Sequence, residues 1–235
     1  MAVRYWESKR GEAKMDRKFP PSSPGFYASA LVEEKIVNTP GALVFDLDNP
    51  RRLPSGLVTP VFFDNRPFIL DTEDWRDLID AMLCTADECR MKPEFLVAVD
   101  SLSTILASAV GYRMGVSVFA IESLKKAPLA GIEGRFIRGK AGLLIANHIS
   151  MGEASIKAAT AVRRLGGKVD AVLAPTGFDL PITEKRLKAE GLYGQTVVNF
   201  QSLIDFCYDV DIVSEYDKGE IEEWVKKPTI EKRGK

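Results

Sequence analysis

The stretch Gly142–Leu165, GLLIANHISMGEASIKAATAVRRL, constrains the fold more than any other part of the chain. A short apolar run (Leu143, Leu144, Ile145) stops at the polar turn Asn147-His148-Ile149-Ser150-Met151-Gly152-Glu153, and an alanine-rich amphipathic helix begins at about Glu153. Strand, turn and helix in that order are a unit of an α/β sheet. Ligands of such sheets sit at the carboxyl ends of the strands, where free N–H groups at the following helix N-terminus favour anions, phosphate above all.

The same alternation runs through the second half of the chain. Phe95–Val99 reads as a strand, Ser103–Met114 as a helix and Val116–Ile121 as a strand, followed by a Lys-, Pro- and Gly-containing loop from Glu122 to Gly134. After the opening stretch come a strand at Val169–Leu173, a helix at Thr183–Ala189, a short strand at Thr196–Asn199 and a helix at Ser202–Tyr208. Continuous apolar strands separated by helices predict a doubly wound α/β fold with a central parallel sheet covered on both faces. Upstream, a helix is expected over Ser29–Asn38, strands over Ala42–Phe45 and Thr59–Phe63, and a helix over Asp74–Met91. Residues 1–28 read as a tail because Pro20-Pro21-Ser22-Ser23-Pro24-Gly25 does not support a helix. Residues 29–228 form the domain, with a hood from about 29 to 67, and 229–235 a second tail.

The 32 basic and 33 acidic residues leave a formal charge of -1, so no chain-wide field draws the protein to nucleic acid or to a membrane. The apolar runs fall far short of the roughly 20 residues that a membrane span needs. Cys84, Cys89 and Cys207 are odd in number and lack CxxC spacing, which places the chain among reduced, cytoplasmic proteins.

Within the central turn, Ser150, Gly152 and Ser155 can cradle a phosphate, since glycine permits close backbone approach and hydroxyls donate to phosphate oxygens. The competing reading is that Ser150 or Ser155 caps a helix. His148 is the only histidine, so no His/Cys metal cluster is available and no Ser-His-Asp triad can be argued from spacing; it either touches a ligand or is structural. Lys125 and Lys126 lie where a mobile lysine can reach a phosphate or simply be solvated.

Four further segments complete a pattern. They are Ser55-Gly56-Leu57-Val58-Thr59-Pro60-Val61-Phe62-Phe63-Asp64, the Phe95–Val110 loop and helix, Gly131-Ile132-Glu133-Gly134, and Asn199-Phe200-Gln201-Ser202-Leu203-Ile204-Asp205-Phe206. In this order, with the central turn between the last two, they resemble a type I phosphoribosyltransferase of the orotate phosphoribosyltransferase branch, from about Ala30 to Pro228. The resemblance implies the doubly wound sheet with an N-terminal hood. It puts ribose and phosphate at Asn147, His148, Ser150, Met151, Gly152, Glu153, Ala154 and Ser155, pyrophosphate at Asp100, Ser101 and Ser103, the base near Phe62 and Phe63, and a catalytic role on Lys125. It also implies a dimer with Leu102–Met114 in the interface, and magnesium if the protein is active.

The departures from the family pattern are systematic. Ala146 and Asn147 stand where the family has two acidic residues that hold the ribose hydroxyls, Met151 and Glu153 alter the phosphate turn, and Asp100 enters a glycine-rich pyrophosphate loop. Each lost charge-assisted contact is worth about 1.5–3 kcal/mol. The expectation is an orotate phosphoribosyltransferase-like protein with a degenerate site, without a metal bound by its own residues. It would take a small phosphorylated ligand, or act as the regulatory or structural partner of an active homologue. The alternative is a divergent active enzyme that makes orotidine monophosphate.

Overall fold

The structure, a computed structural model, describes residues 24–126 and 131–231, with Pro24 and residues 124–126 given by their backbone alone. The chain opens with helix α1 (Pro24–Asn38). This helix was expected from Ser29, but a proline in the first turn has no N–H to waste, and Phe26, Ser29 and Ala30 are buried. The Gly25 N–H donates to Glu88 Oε1 at 2.7 Å, tying the helix start to the body of the protein.

Four short strands follow, β1 (Leu43–Phe45), β2 (Arg51–Arg52), β3 (Leu57–Thr59) and β4 (Val61–Phe63). Pro60 cannot donate to a ladder, which splits the expected Thr59–Phe63 strand in two. Strand β4 then pairs antiparallel with β1, while β3 pairs with β2. A short helix α2 (Pro67–Leu70) leads to α3 (Thr72–Glu88), which starts before the expected Asp74 because the Asp71 carboxylate accepts from the Glu73 and Asp74 N–H groups.

The core sheet has β5 (Phe95–Ala98), β6 (Ser117–Ala120), β7 (Ala141–Ile145), β9 (Lys168–Ala174) and β11 (Tyr193–Thr196), all parallel, in the order β11-β9-β7-β5-β6. Two shorter strands, β8 (His148–Ile149) and β10 (Thr176–Gly177), pair beyond its carboxyl edge. Helix α4 (Ser101–Met114) ends at Gly115, whose φ of 69° closes the helix in the left-handed region. Then come α5 (Ile121–Lys126) and α6 (Ile132–Ile137), where the sequence predicts one loop. A single helical turn is too short to show a period, yet Ile121 and Ile137 are buried and α5 packs on α7 (Glu153–Arg164).

Leu96, Leu143 and Leu173 face α3 and α4 on one side, whereas Phe95, Leu144 and Val172 face α7 and α8 (Pro181–Ala189) on the other. Each such side chain contributes about 1.5–3 kcal/mol on burial. The short strand expected at Thr196–Asn199 lies earlier, at β11, because Tyr193 pairs with Ala171 and Thr196 with Ala174. Val197 and Val198 continue this contact through N–H bonds to the Ala174 and Pro175 carbonyls without forming strand.

The chain closes with α9 (Phe200–Asp209), α10 (Glu215–Lys226) and β12 (Thr229–Ile230). Residues 229–230, expected in a tail, pair antiparallel with β3 and so tie the end of the described residues to the hood. The Trp224 Nε1–H donates to the Val58 carbonyl at 2.8 Å beside them. Among the described residues no helix is long and apolar enough to cross a membrane.

Candidate active site

A cleft of about 340 Å³ opens at the carboxyl ends of β5 and β7, between the hood turn Leu53-Pro54-Ser55 and the N-terminus of α7. Asp100, His148, Ser150, Met151, Gly152, Glu153, Ala154 and Ser155 all line it. These residues meet because the turn is continuous in sequence and β7 lies beside β5 in the sheet.

Gly152 is the N-cap of α7 with φ 73°, and no side chain caps the helix. A Cβ at Gly152 would lie 2.9 Å from Leu187 Cδ2, so glycine serves both the left-handed backbone and the close approach of α8. The turn is held from behind by the Thr183 hydroxyl, which donates to the Ser150 carbonyl at 2.5 Å. Glu153 occupies the first turn of α7, where its carboxylate complements the helix dipole. It stands 3.9 Å from Arg186 Nη1, a half-exposed pair worth little. Met151 and Ser155 are buried and Ala154 is exposed.

Asp100 caps α4 in a reciprocal box. Its carboxylate accepts from the Ser103 N–H at 2.7 Å, and the Ser103 hydroxyl accepts from the Asp100 N–H at 2.9 Å. Ser103 is fully buried by this arrangement and Ser101 is exposed on α4. The cap places the Asp100 carboxylate in the lining of the cleft, at the N-terminus of α4.

His148 is packed rather than poised. Its ring lies 4.5 Å from Phe178 and 5.2 Å from Phe63, Nδ1 is 2.9 Å from the Thr176 hydroxyl, and Nε2 is buried with no hydrogen-bond partner. Burial pushes its pKa down to about 3, which keeps the imidazole neutral. Asn65 joins the same network, donating from Nδ2 to the Asn147 carbonyl at 2.8 Å and to the Thr176 hydroxyl at 3.1 Å.

Asn147 thus lies beside the cleft, its carbonyl committed to the hood. Phe63 is buried, and Phe62 carries the Arg51 guanidinium 5.0 Å from its ring centroid. The Lys125 side chain lies outside the described residues. Three contributors escaped the sequence reading. Lys157 follows Glu153 by one helical turn on α7 and lines the cleft, a spacing that could have revealed it; Ser55 reaches the cleft only through the hood turn; and Asn65 is bonded to a residue 111 positions away.

A five-stranded parallel sheet with a glycine turn at the carboxyl end of its middle strand, roofed by an N-terminal hood, defines a protein of the type I phosphoribosyltransferase fold. The curated orotate phosphoribosyltransferase of Coxiella burnetii is 24% identical over 191 residues, covering 80% of this chain and 90% of its own. That of Bacillus caldolyticus is 27% identical over 190 residues, with 80% and 92% covered. Among solved structures, Leishmania donovani UMP synthase superposes with a TM-score of 0.68 at 18% identity over 84% of this chain and 42% of its own. Orotate phosphoribosyltransferase from Aeropyrum pernix superposes with a TM-score of 0.62 at 15% identity over 74% of this chain and 98% of its own. No family model matches the chain. The protein is orotate phosphoribosyltransferase-like.

Proposed function

We propose that this protein is a non-catalytic relative of the orotate phosphoribosyltransferases, one that retains a phosphate-monoester subsite and has lost transfer from phosphoribosyl pyrophosphate. The observation that supports this reading is the reciprocal cap of α4, which sets the Asp100 carboxylate in the lining of the cleft, where the resemblance puts pyrophosphate. At the other end the α7 N-terminus has no side-chain cap, and Ser150 and Lys157 stand beside it. A phosphate monoester there gains backbone donors, the helix dipole and one cation, partly opposed by Glu153.

The positions that would steady ribose hydroxyls, Ala146 and Asn147, are respectively buried and turned to the hood. Transfer also requires stabilisation of positive charge developing on the ribose carbon, and neither residue carries a carboxylate to supply it. The described residues contain no group of three or more His, Cys, Asp or Glu side chains suited to a metal. On this reading the chain works as a homodimer or as the partner of an active homologue.

The deciding assay supplies orotate, phosphoribosyl pyrophosphate and magnesium to protein purified free of host enzyme. The expected result is no orotidine monophosphate, together with a rise in Tm with nucleoside monophosphates by mass action. Clear turnover would overturn the reading in favour of a divergent active enzyme.

A further inference from the structure

A second, larger cleft shares only Ile149 with the lining of the first. It measures about 970 Å³, at the upper end of the range for small-molecule sites, and runs along the edge strand β11 between the end of α3 and helix α8. Its apolar lining includes Met91, Leu143, Leu180 and Leu187, and the Tyr193 ring stands at its wall with 55% of the residue exposed. An exposed aromatic ring beside an apolar floor is a stacking platform for a planar ligand. Gly194, the next residue in the strand, lets Leu187 pack directly on the strand and form the floor: a Cβ there would lie 2.9 Å from Leu187 Cδ1.

The polar groups limit which planar ligand fits. Arg90, Lys92 and Lys188 are balanced by Asp170, Asp179 and Glu184, so the lining has no net charge to hold an anion or a cation. Uncharged recognition comes from Thr183 and Asn199. The Asn199 Oδ1 accepts from the Ser202 N–H at 2.9 Å, which leaves its Nδ2 as a donor.

Helix α8 is also the back wall of the phosphate turn. Thr183 and Leu187 line the large cleft, while the Thr183 hydroxyl bonds the Ser150 carbonyl and Leu187 packs under Gly152. A ligand that shifts α8 therefore shifts the turn.

We propose that this cleft binds a neutral heteroaromatic molecule of nucleoside size, stacked on Tyr193, and that its occupancy is felt at the phosphate turn through α8. The site is separate from the phosphate subsite and stands whether or not the protein catalyses transfer. Isothermal calorimetry with uridine, cytidine, adenosine and guanosine tests it. At least one nucleoside is expected to bind, with affinity at least tenfold weaker in Tyr193→Ala and kept within about twofold in Tyr193→Phe, which retains the ring. Both variants lose the same 2.8 Å hydroxyl bond to Gln195 Oε1, so a difference between them reports stacking rather than folding. Hydrogen exchange at residues 150–156 should slow on binding. No binding at millimolar nucleoside, or equal loss in both variants, overturns the site; binding without a change in exchange overturns the coupling.

Discussion

At the scale of single residues, the chemistry turns on two side chains that line the cleft, Asp100 and His148. Asp100 serves the fold as a cap, and on the proposed function its charge also opposes a pyrophosphate; the two roles separate by substitution. Asparagine caps as well as aspartate, so Asp100→Asn should leave urea stability within about 0.5 kcal/mol. Removing the charge should tighten inorganic pyrophosphate binding about fivefold, corresponding to roughly 1 kcal/mol for a screened contact. Unchanged affinity in calorimetry would show that the carboxylate does not block the site. His148 gives a pH signature instead. Its folded pKa of about 3 lies below the ordinary 6.5, so the unfolded chain takes up a proton that the folded chain refuses. The stability it contributes is complete above about pH 6.5 and is lost as the pH falls towards 3. Between pH 7 and 5 this amounts to about 2 kcal/mol at a slope of at most about 1.4 kcal/mol per pH unit. Because it is the only histidine, the loss should vanish in His148→Leu. Urea unfolding at the two pH values checks this, and equal slopes would refute the buried neutral ring.

At the scale of elements, the hood depends on the far end of the chain. Strand β12 pairs with β3, the Glu231 N–H donates to the Gly56 carbonyl at 2.9 Å, and Arg52 pairs with Glu231 at 3.0 Å. Gly56 has φ 86°, and a Cβ there would run into the Glu231 carbonyl. Gly56→Ala should cost at least about 1–2 kcal/mol from the left-handed backbone alone and detach β12. Faster exchange of the Glu231 amide, with the core sheet amides unchanged, is the expected readout. None of this strap was visible in the sequence, because a two-residue strand has no period and its partner lies more than 150 residues away. Strands β5 and β7 were legible for the opposite reason: Phe95–Ala98 are all buried, and a continuous apolar run is the mark of a strand covered on both faces. Strand β11 lies upstream of the apolar run at Val197–Val198 because Tyr193 and Gly194, at a sheet edge, carry no apolar signal. The site divides in the same way. The turn from His148 to Ser155 is contiguous and could be read, whereas Ser55 and Asn65 reach it through the hood, and the burial that neutralises His148 exists only once Phe63 and Phe178 close around it.

At the scale of the molecule, the question is what covers α4. Ile105, Ser108 and Tyr112 recur at helical spacing on its outer face, with Ile105 at 45% and Tyr112 at 87% exposure. Exposed single apolar residues are ordinary, but an aromatic and an aliphatic side chain along one helix that also borders the site make a seam suited to a second copy. The formal charge of -1 sets up little repulsion between two chains. A stable symmetric pair buries about 1,200–2,000 Å² in total, so the two α4 faces would form only the centre of the contact. A charge placed at that centre would be desolvated without a partner. Sedimentation at micromolar concentration should therefore report twice the chain mass for the wild type and the single-chain mass for Tyr112→Glu. Circular dichroism should stay unchanged, since Tyr112 makes no core contact. A wild-type protein that sediments as one chain would remove the homodimer and leave association with a different chain as the surviving form of the proposal. Mixing with an active homologue and repeating the sedimentation would then test that form directly.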